Sequence, residues 1–137
     1  MSHDPRVIRL DGLTKRYGRT VGVGGLSFEV RPGHVTGLPR AHGAGKSTTM
    51  RLILGLDAPT AGTVTLGGVV HRRMRRPLHG VGAMLEAAPV HPGRRARAHP
   101  VALARSNAIP VRRVDEVLGL VGLDTAPTGA WGRSRSA

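Results

Sequence analysis

The stretch Gly37-Leu38-Pro39-Arg40-Ala41-His42-Gly43-Ala44-Gly45-Lys46-Ser47-Thr48-Thr49 decides how the rest of the chain is read. A β-prone run, His34 to Leu38, leads into a glycine-rich turn, and a helical pattern follows Gly45-Lys46-Ser47. Strand, glycine loop ending in Gly-Lys-Ser, then helix is the layout of a phosphate-binding P-loop. Backbone N–H groups of Gly43, Ala44, Gly45, Lys46, Ser47 and Thr48 can converge on one concavity, provided no side chain blocks it. The helix beginning near Lys46 adds unpaired N–H groups and the positive end of its dipole. In this reading Lys46 supplies a point charge to the outer phosphates and the Ser47 hydroxyl ligates Mg²⁺. The strict pattern G-x-x-x-x-G-K-[ST] fails at one position, where Arg40 replaces the first glycine. An ordinary glycine turn capping a helix is the alternative.

A chain of 137 residues is bounded to one domain with a modest core. It has no cysteine, which excludes disulfides and thiolate metal sites. No apolar run approaches the ~20 residues needed to span a bilayer as a helix, and the N-terminus does not read as a signal peptide. A soluble protein, or one peripheral through a partner, is expected. The 21 basic residues outweigh 8 acidic ones, for a net charge of +13, and all basic residues except Lys15 and Lys46 are arginine. Such a charge makes non-specific nucleic acid a partner to weigh. The arginines are scattered, however, and Tyr17, Phe28 and Trp131 are too few to stack single-stranded bases. A GC-rich genome also explains the arginine bias.

Val7 to Leu10 and Leu13 to Tyr17 read as two short strands. Leu26 to Val30 alternates cleanly, and the turn Arg31-Pro32-Gly33 predicts a hairpin with a strand from His34. Met50, Ile53 and Leu54 keep helical spacing, with Gly55 as a C-terminal cap. Thr63 to Leu66 reads as a strand, His71 to Arg76 as a solvated connection, and Val81 to Leu85 as a buried strand with Glu86 at its end. Pro100 suits a helix's first turn. Val111, Val114, Val117, Leu118 and Val121 form one apolar helical face. Residues 125–137 have no periodicity and read as a disordered tail.

From about Val7 to Asp124 the chain resembles the ATP-binding subunit of ABC transporters, in particular bacterial drug exporters. The resemblance is carried by Leu13-Thr14-Lys15-Arg16-Tyr17-Gly18, by Leu26 to Gly33, by Gly43 to Thr49, and by Leu52 to Thr65 in the family's order. It implies an α/β P-loop NTPase-like core with an N-terminal antiparallel β-subdomain, incomplete at the C-terminus. Residues 1–124 would be the partial ATP-binding domain. It implies ATP and Mg²⁺ as cofactors, Tyr17 as the adenine platform and Glu86 as a second metal-facing residue. Complete relatives form a homodimer on a membrane-spanning permease, which implies a cytoplasmic protein at the inner face of the membrane. A half-buried strand tyrosine and a solvated strand-end glutamate are the alternatives at Tyr17 and Glu86.

The departures carry expectations of their own. Arg40-Ala41-His42 stands where the family has Gly-Pro-Asn, so nucleotide affinity is expected to be reduced. Pro100 replaces a helical leucine, so that helix is expected to be broken or delayed. The family's signature motif, Walker B aspartate, catalytic glutamate and switch histidine would all come after Asp124. Nucleotide binding without hydrolysis is therefore expected, since phosphoryl transfer relies on such groups. A basic nucleic-acid-binding module and a non-functional remnant are the competing readings.

Family character ceases abruptly after Asp124, and residues 39–42 interrupt it locally, as reading in the wrong frame would do. Translating the nucleotides beyond the Asp124 codon in the other two frames is expected to show a signature motif and a Walker B strand. Finding neither removes the expectation that this chain is the front of a longer reading frame.

Overall fold

The computed structural model describes residues 4, 6–38, 44–85 and 97–123. The chain forms two compact units, one up to Gly80 and one from Val81. The first holds a three-stranded antiparallel sheet of β1 (Ile8–Tyr17), β2 (Thr20–Val30) and β3 (Ala61–Leu66), in the order β2-β1-β3, with helix α1 (Ala44–Ile53). A 3₁₀ turn at His71–Arg73 and the one-turn helix α2 (Pro77–Gly80) follow β3. The second unit contains α3 (Ala98–Ser106) and α4 (Arg112–Leu120).

The two short strands expected before Gly18 are one strand. Gly12 adopts φ +55° and the register shifts between Leu10 and Leu13, so β1 carries a bulge rather than a break. The extra residue changes the alternation. Leu10 and Leu13 would otherwise face opposite sides of the sheet, yet both are buried. The Gly12 amide, displaced from the ladder, donates to Ser27 Oγ at 2.8 Å. Gly18 (φ +58°) and Arg19 make the tight turn into β2, where Tyr17 pairs with Thr20.

Leu10, Leu13, Val23, Leu52, Ile53, Val64 and Leu66 form the core of the first unit, with Thr48 and Thr49 buried alongside. In α1 the buried positions Gly45, Thr48, Thr49 and Leu52 follow the spacing i, i+3, i+4, i+7, so one stripe faces inward. Thr49 keeps its hydroxyl satisfied by donating to the Gly45 carbonyl at 2.7 Å. The expected cap at Gly55 is present, with φ +64°. Leu56 N–H bonds to the Arg51 carbonyl and Gly55 N–H to that of Leu52, which is a Schellman ending.

Two expected strands are absent. Residues 34–38 run without ladder pairing, and Val35 is fully exposed. The hairpin partner of β2 is therefore β1, not the segment from His34. Residues 81–85 likewise form no strand, and Met84 is 97% exposed. The reason is the same for both: among the described residues neither segment pairs with a strand, and an unpaired strand lacks the ladder bonds that would hold it extended. The segment after β3 is solvated as expected, with Arg72, Arg73, Arg75 and Arg76 all exposed.

Helix α3 begins at Ala98, which puts Pro100 in its first turn, where its missing N–H costs nothing. In α4 only Val114 of the predicted face is fully buried; Val117 and Val121 are 41% and 61% exposed. The tail, 125–137, lies outside the described residues.

Gly62 has φ +77°, and a Cβ there would run into the backbone carbonyls of Gly12 and Asp11. Gly12 is also left-handed, but a Cβ on it meets nothing within 4 Å. Gly62→Ala is expected to cost more than about 2 kcal/mol and Gly12→Ala about 1 kcal/mol, read from urea unfolding midpoints.

Candidate nucleotide site

The site begins at the first turn of α1. Burial of Gly45, Thr48 and Thr49 turns Lys46 and Ser47 outward, and both are exposed. No acidic residue stands in the helix's first turn, and Lys46 has no ion-pair partner among the described residues. An ammonium and a hydroxyl, both unpaired among the described residues, thus share one exposed stretch with the positive end of a ten-residue helix. That set suits an anion with an attached cation, because the ammonium neutralises charge and a hydroxyl is a hard oxygen ligand. Of the residues predicted from sequence, Ala44, Gly45, Lys46, Ser47 and Thr48 lie together in α1. Gly43, Arg40 and Glu86 lie outside the described residues.

Tyr17 belongs to the other end of the same helix. It ends β1 and is 49% exposed. Its hydroxyl donates to Asp57 Oδ2 at 3.4 Å, and Arg51 of α1 clasps the same carboxylate with Nε at 2.9 Å and Nη2 at 3.2 Å. Ser47 and Arg51 are four residues apart on one helix face. The linkage from Tyr17 through Asp57 to Arg51 therefore comes within one turn of Ser47. No hydrogen bond joins Tyr17 directly to Lys46 or Ser47.

The ring itself is prepared on two counts. Lys15 Nζ stands 5.3 Å from its centroid, a cation–π distance, while donating to the Ala58 carbonyl at 2.7 Å. Gly22 has no side chain, and a Cβ there would stand 3.0 Å from Tyr17 Cε2. The segment 57–60 is strapped to β1 by Thr60 N–H to the Thr14 carbonyl at 2.8 Å and Arg16 N–H to Thr60 Oγ1 at 3.0 Å. Arg51, Asp57, Lys15 and Gly22 were not singled out from sequence. The one available signal was an arginine and an aspartate on either side of the helix-ending glycine.

The family model of the ABC transporter matches residues 23–135, most of the chain. The chain belongs to the ABC transporter family. With the family comes the P-loop NTPase fold, here seen as an N-terminal antiparallel sheet with the helix that follows the loop. The match takes in Lys46 and Ser47 and begins after Tyr17. Among relatives, the Nod factor export ATP-binding protein I of Ralstonia nicotianae is 48% identical over 75 residues, covering 50% of this chain and 23% of its own length. The ribose import ATP-binding protein RbsA 2 of Rubrobacter xylanophilus is 48% identical over 62 residues, covering 45% of this chain and 12% of its own. The bacitracin transport ATP-binding protein BcrA of Bacillus licheniformis is 33% identical over 119 residues, covering 85% of this chain and 39% of its own. The chain thus spans well under half the length of these relatives. No described helix of this ABC family member is long and apolar enough to cross a membrane.

Hydrogen bonding to Arg51 holds the Asp57 carboxyl below the usual carboxylate range, with a smaller contribution from Tyr17. A lowered carboxylate pKa means the link is intact at neutral pH and is lost only as pH falls through that lowered value. Tyr17 is the chain's one tyrosine, so its ring NMR signals are unambiguous. They are expected to hold steady through the ordinary carboxylate range and to move only as pH falls below it. In Asp57→Asn the acid-induced movement should disappear.

Proposed function

We propose that the chain binds Mg–ATP as the nucleotide-binding part of an ABC exporter. The observation that carries this reading is the exposed Lys46 ammonium and Ser47 hydroxyl in the first turn of α1, both unpaired among the described residues. Lys46 would take the outer phosphates, and the backbone from Gly43 to Thr48 would cradle them. Ser47 would hold Mg²⁺ together with phosphate oxygens, since Mg²⁺ favours few protein ligands plus substrate phosphate. Glu86 is the second metal-facing residue of the proposal. Tyr17 would stack on adenine, with Asp57 orienting the ring and Lys15 flanking it. Bound Mg²⁺ supplies neutralisation of phosphate charge. Hydrolysis needs a further group that orients the attacking water, and the assignments here give that role to no residue.

Export is favoured over import by extent of likeness. A relative named for Nod factor export, from Rhizobium etli, aligns with 81% of the chain, and the one named for ribose import with 45%. In this reading the partner is a membrane-spanning permease, the assembly contains two such subunits, and the protein works at the cytoplasmic face of the membrane.

Titrating the purified chain with ATP in Mg²⁺ is expected to show weak binding that chelation of the metal abolishes. Lys46→Ala should weaken it about tenfold to a hundredfold, the worth of a charge-assisted contact. Equal affinity in the two proteins would remove the phosphate-site reading. Arg40→Gly is expected to tighten binding, because glycine lets the loop backbone approach phosphate; weaker binding would make Arg40 itself a phosphate ligand.

A further inference from the structure

Ion pairing divides the arginines into two groups. Arg6, Arg9, Arg31, Arg51, Arg97 and Arg113 each hold a carboxylate. Arg73, Arg75 and Arg76 hold none among the described residues, and the whole sequence has no acidic residue between Asp57 and Glu86. The run Arg72-Arg73-Met74-Arg75-Arg76 therefore presents a concentrated, uncompensated positive charge, and all four arginines are exposed. Exposed aliphatic side chains flank it: Val69 at 43%, Val70 at 37% and Leu78 at 48%.

This surface is held in place rather than trailing. Val69 pairs back onto Leu66, Arg73 N–H bonds to the Val70 carbonyl at 2.8 Å, and His79 N–H to that of Arg76 at 3.1 Å. Arg72 donates from Nε to the Gly55 carbonyl at 2.9 Å, which fastens the stretch to the end of α1.

We propose that the surface from Val69 to Leu78 docks on the anionic headgroups of a lipid bilayer. Arg73, Arg75 and Arg76 meet the lipid phosphates, and Val69, Val70 and Leu78 enter the headgroup–acyl boundary. A basic cluster is attracted to anionic lipid, and interleaved apolar side chains add burial there. Nucleic acid fits the same surface less well. The stretch contains no Phe, Tyr or Trp on which bases stack, and aliphatic side chains gain nothing beside a duplex phosphate backbone.

The test is vesicle flotation of the full chain without nucleotide, using neutral phosphatidylcholine and mixtures with about one third phosphatidylglycerol. Binding is expected to the anionic vesicles alone, and to weaken as salt rises. The combined Arg73→Ala, Arg75→Ala and Arg76→Ala variant should lose about a hundredfold in affinity. Its thermal transition should be unchanged, because these exposed side chains hold no carboxylate among the described residues. Val69→Ser with Leu78→Ser should weaken vesicle binding severalfold and leave duplex DNA binding untouched. Undiminished vesicle binding by the arginine variant overturns the proposal. So does tighter binding to duplex DNA than to vesicles, which would assign the surface to nucleic acid.

Discussion

The one-residue bulge at Gly12 is the constraint on which the first unit depends. A regular strand from Ile8 to Tyr17 would put Leu10 and Leu13 on opposite faces, and one of them would lie in water. With the bulge both are buried, at 2% and 0% exposure, and the sheet has a continuous apolar side. Each fully buried leucine is worth roughly 1.5–3 kcal/mol relative to an exposed one. Loss of alternation would therefore weigh heavily in so small a core. The opposite face stays polar: Arg9, paired in register with Glu29, also bonds to it at 2.7 Å, and Arg31 reaches the same carboxylate at 2.9 Å. Hydrogen bonds from these two arginines keep Glu29 ionised below the usual carboxylate range.

From that sheet the site follows by short steps. Apolar burial of Leu52 and Ile53 seats α1, and its inward stripe of Gly45, Thr48 and Thr49 leaves Lys46 and Ser47 facing out. The Schellman turn at Gly55 reverses the chain toward Asp57, which then reaches both Arg51 and Tyr17. Tyr17 is thus tied to the far end of the helix that carries Lys46 and Ser47, and among the described residues no hydrogen bond joins it to either. That arrangement suits a ligand with an anionic end and a flat aromatic end.

Much of this was legible from side-chain periodicity. The alternation of Leu26, Phe28 and Val30, the helical spacing after Gly45 and the glycine at 55 all record which way side chains face. Periodicity does not record whether a neighbouring strand is present. Residues 34–38 and 81–85 have strand-like composition but no pairing among the described residues, so they remain unassigned backbone. Nor does periodicity show tertiary pairs. The Asp57 carboxylate serves partners at positions 17 and 51, and only folding brings those together. The bulge was half visible: a glycine lay between two strand-like runs, and it joins them instead of dividing them.

The far end of α1 has a consequence for its near end. Arg51 is neutralised by Asp57, and the Arg72 guanidinium stands on the carbonyl of the capping Gly55, just past the pole where the helix's partial negative charge collects. Arg72 sets a full positive charge beside that partial negative pole, and Lys46 adds another at the positive pole. Seen from an approaching polyanion, the helix is positive at both ends, over a range that salt limits to about 8 Å.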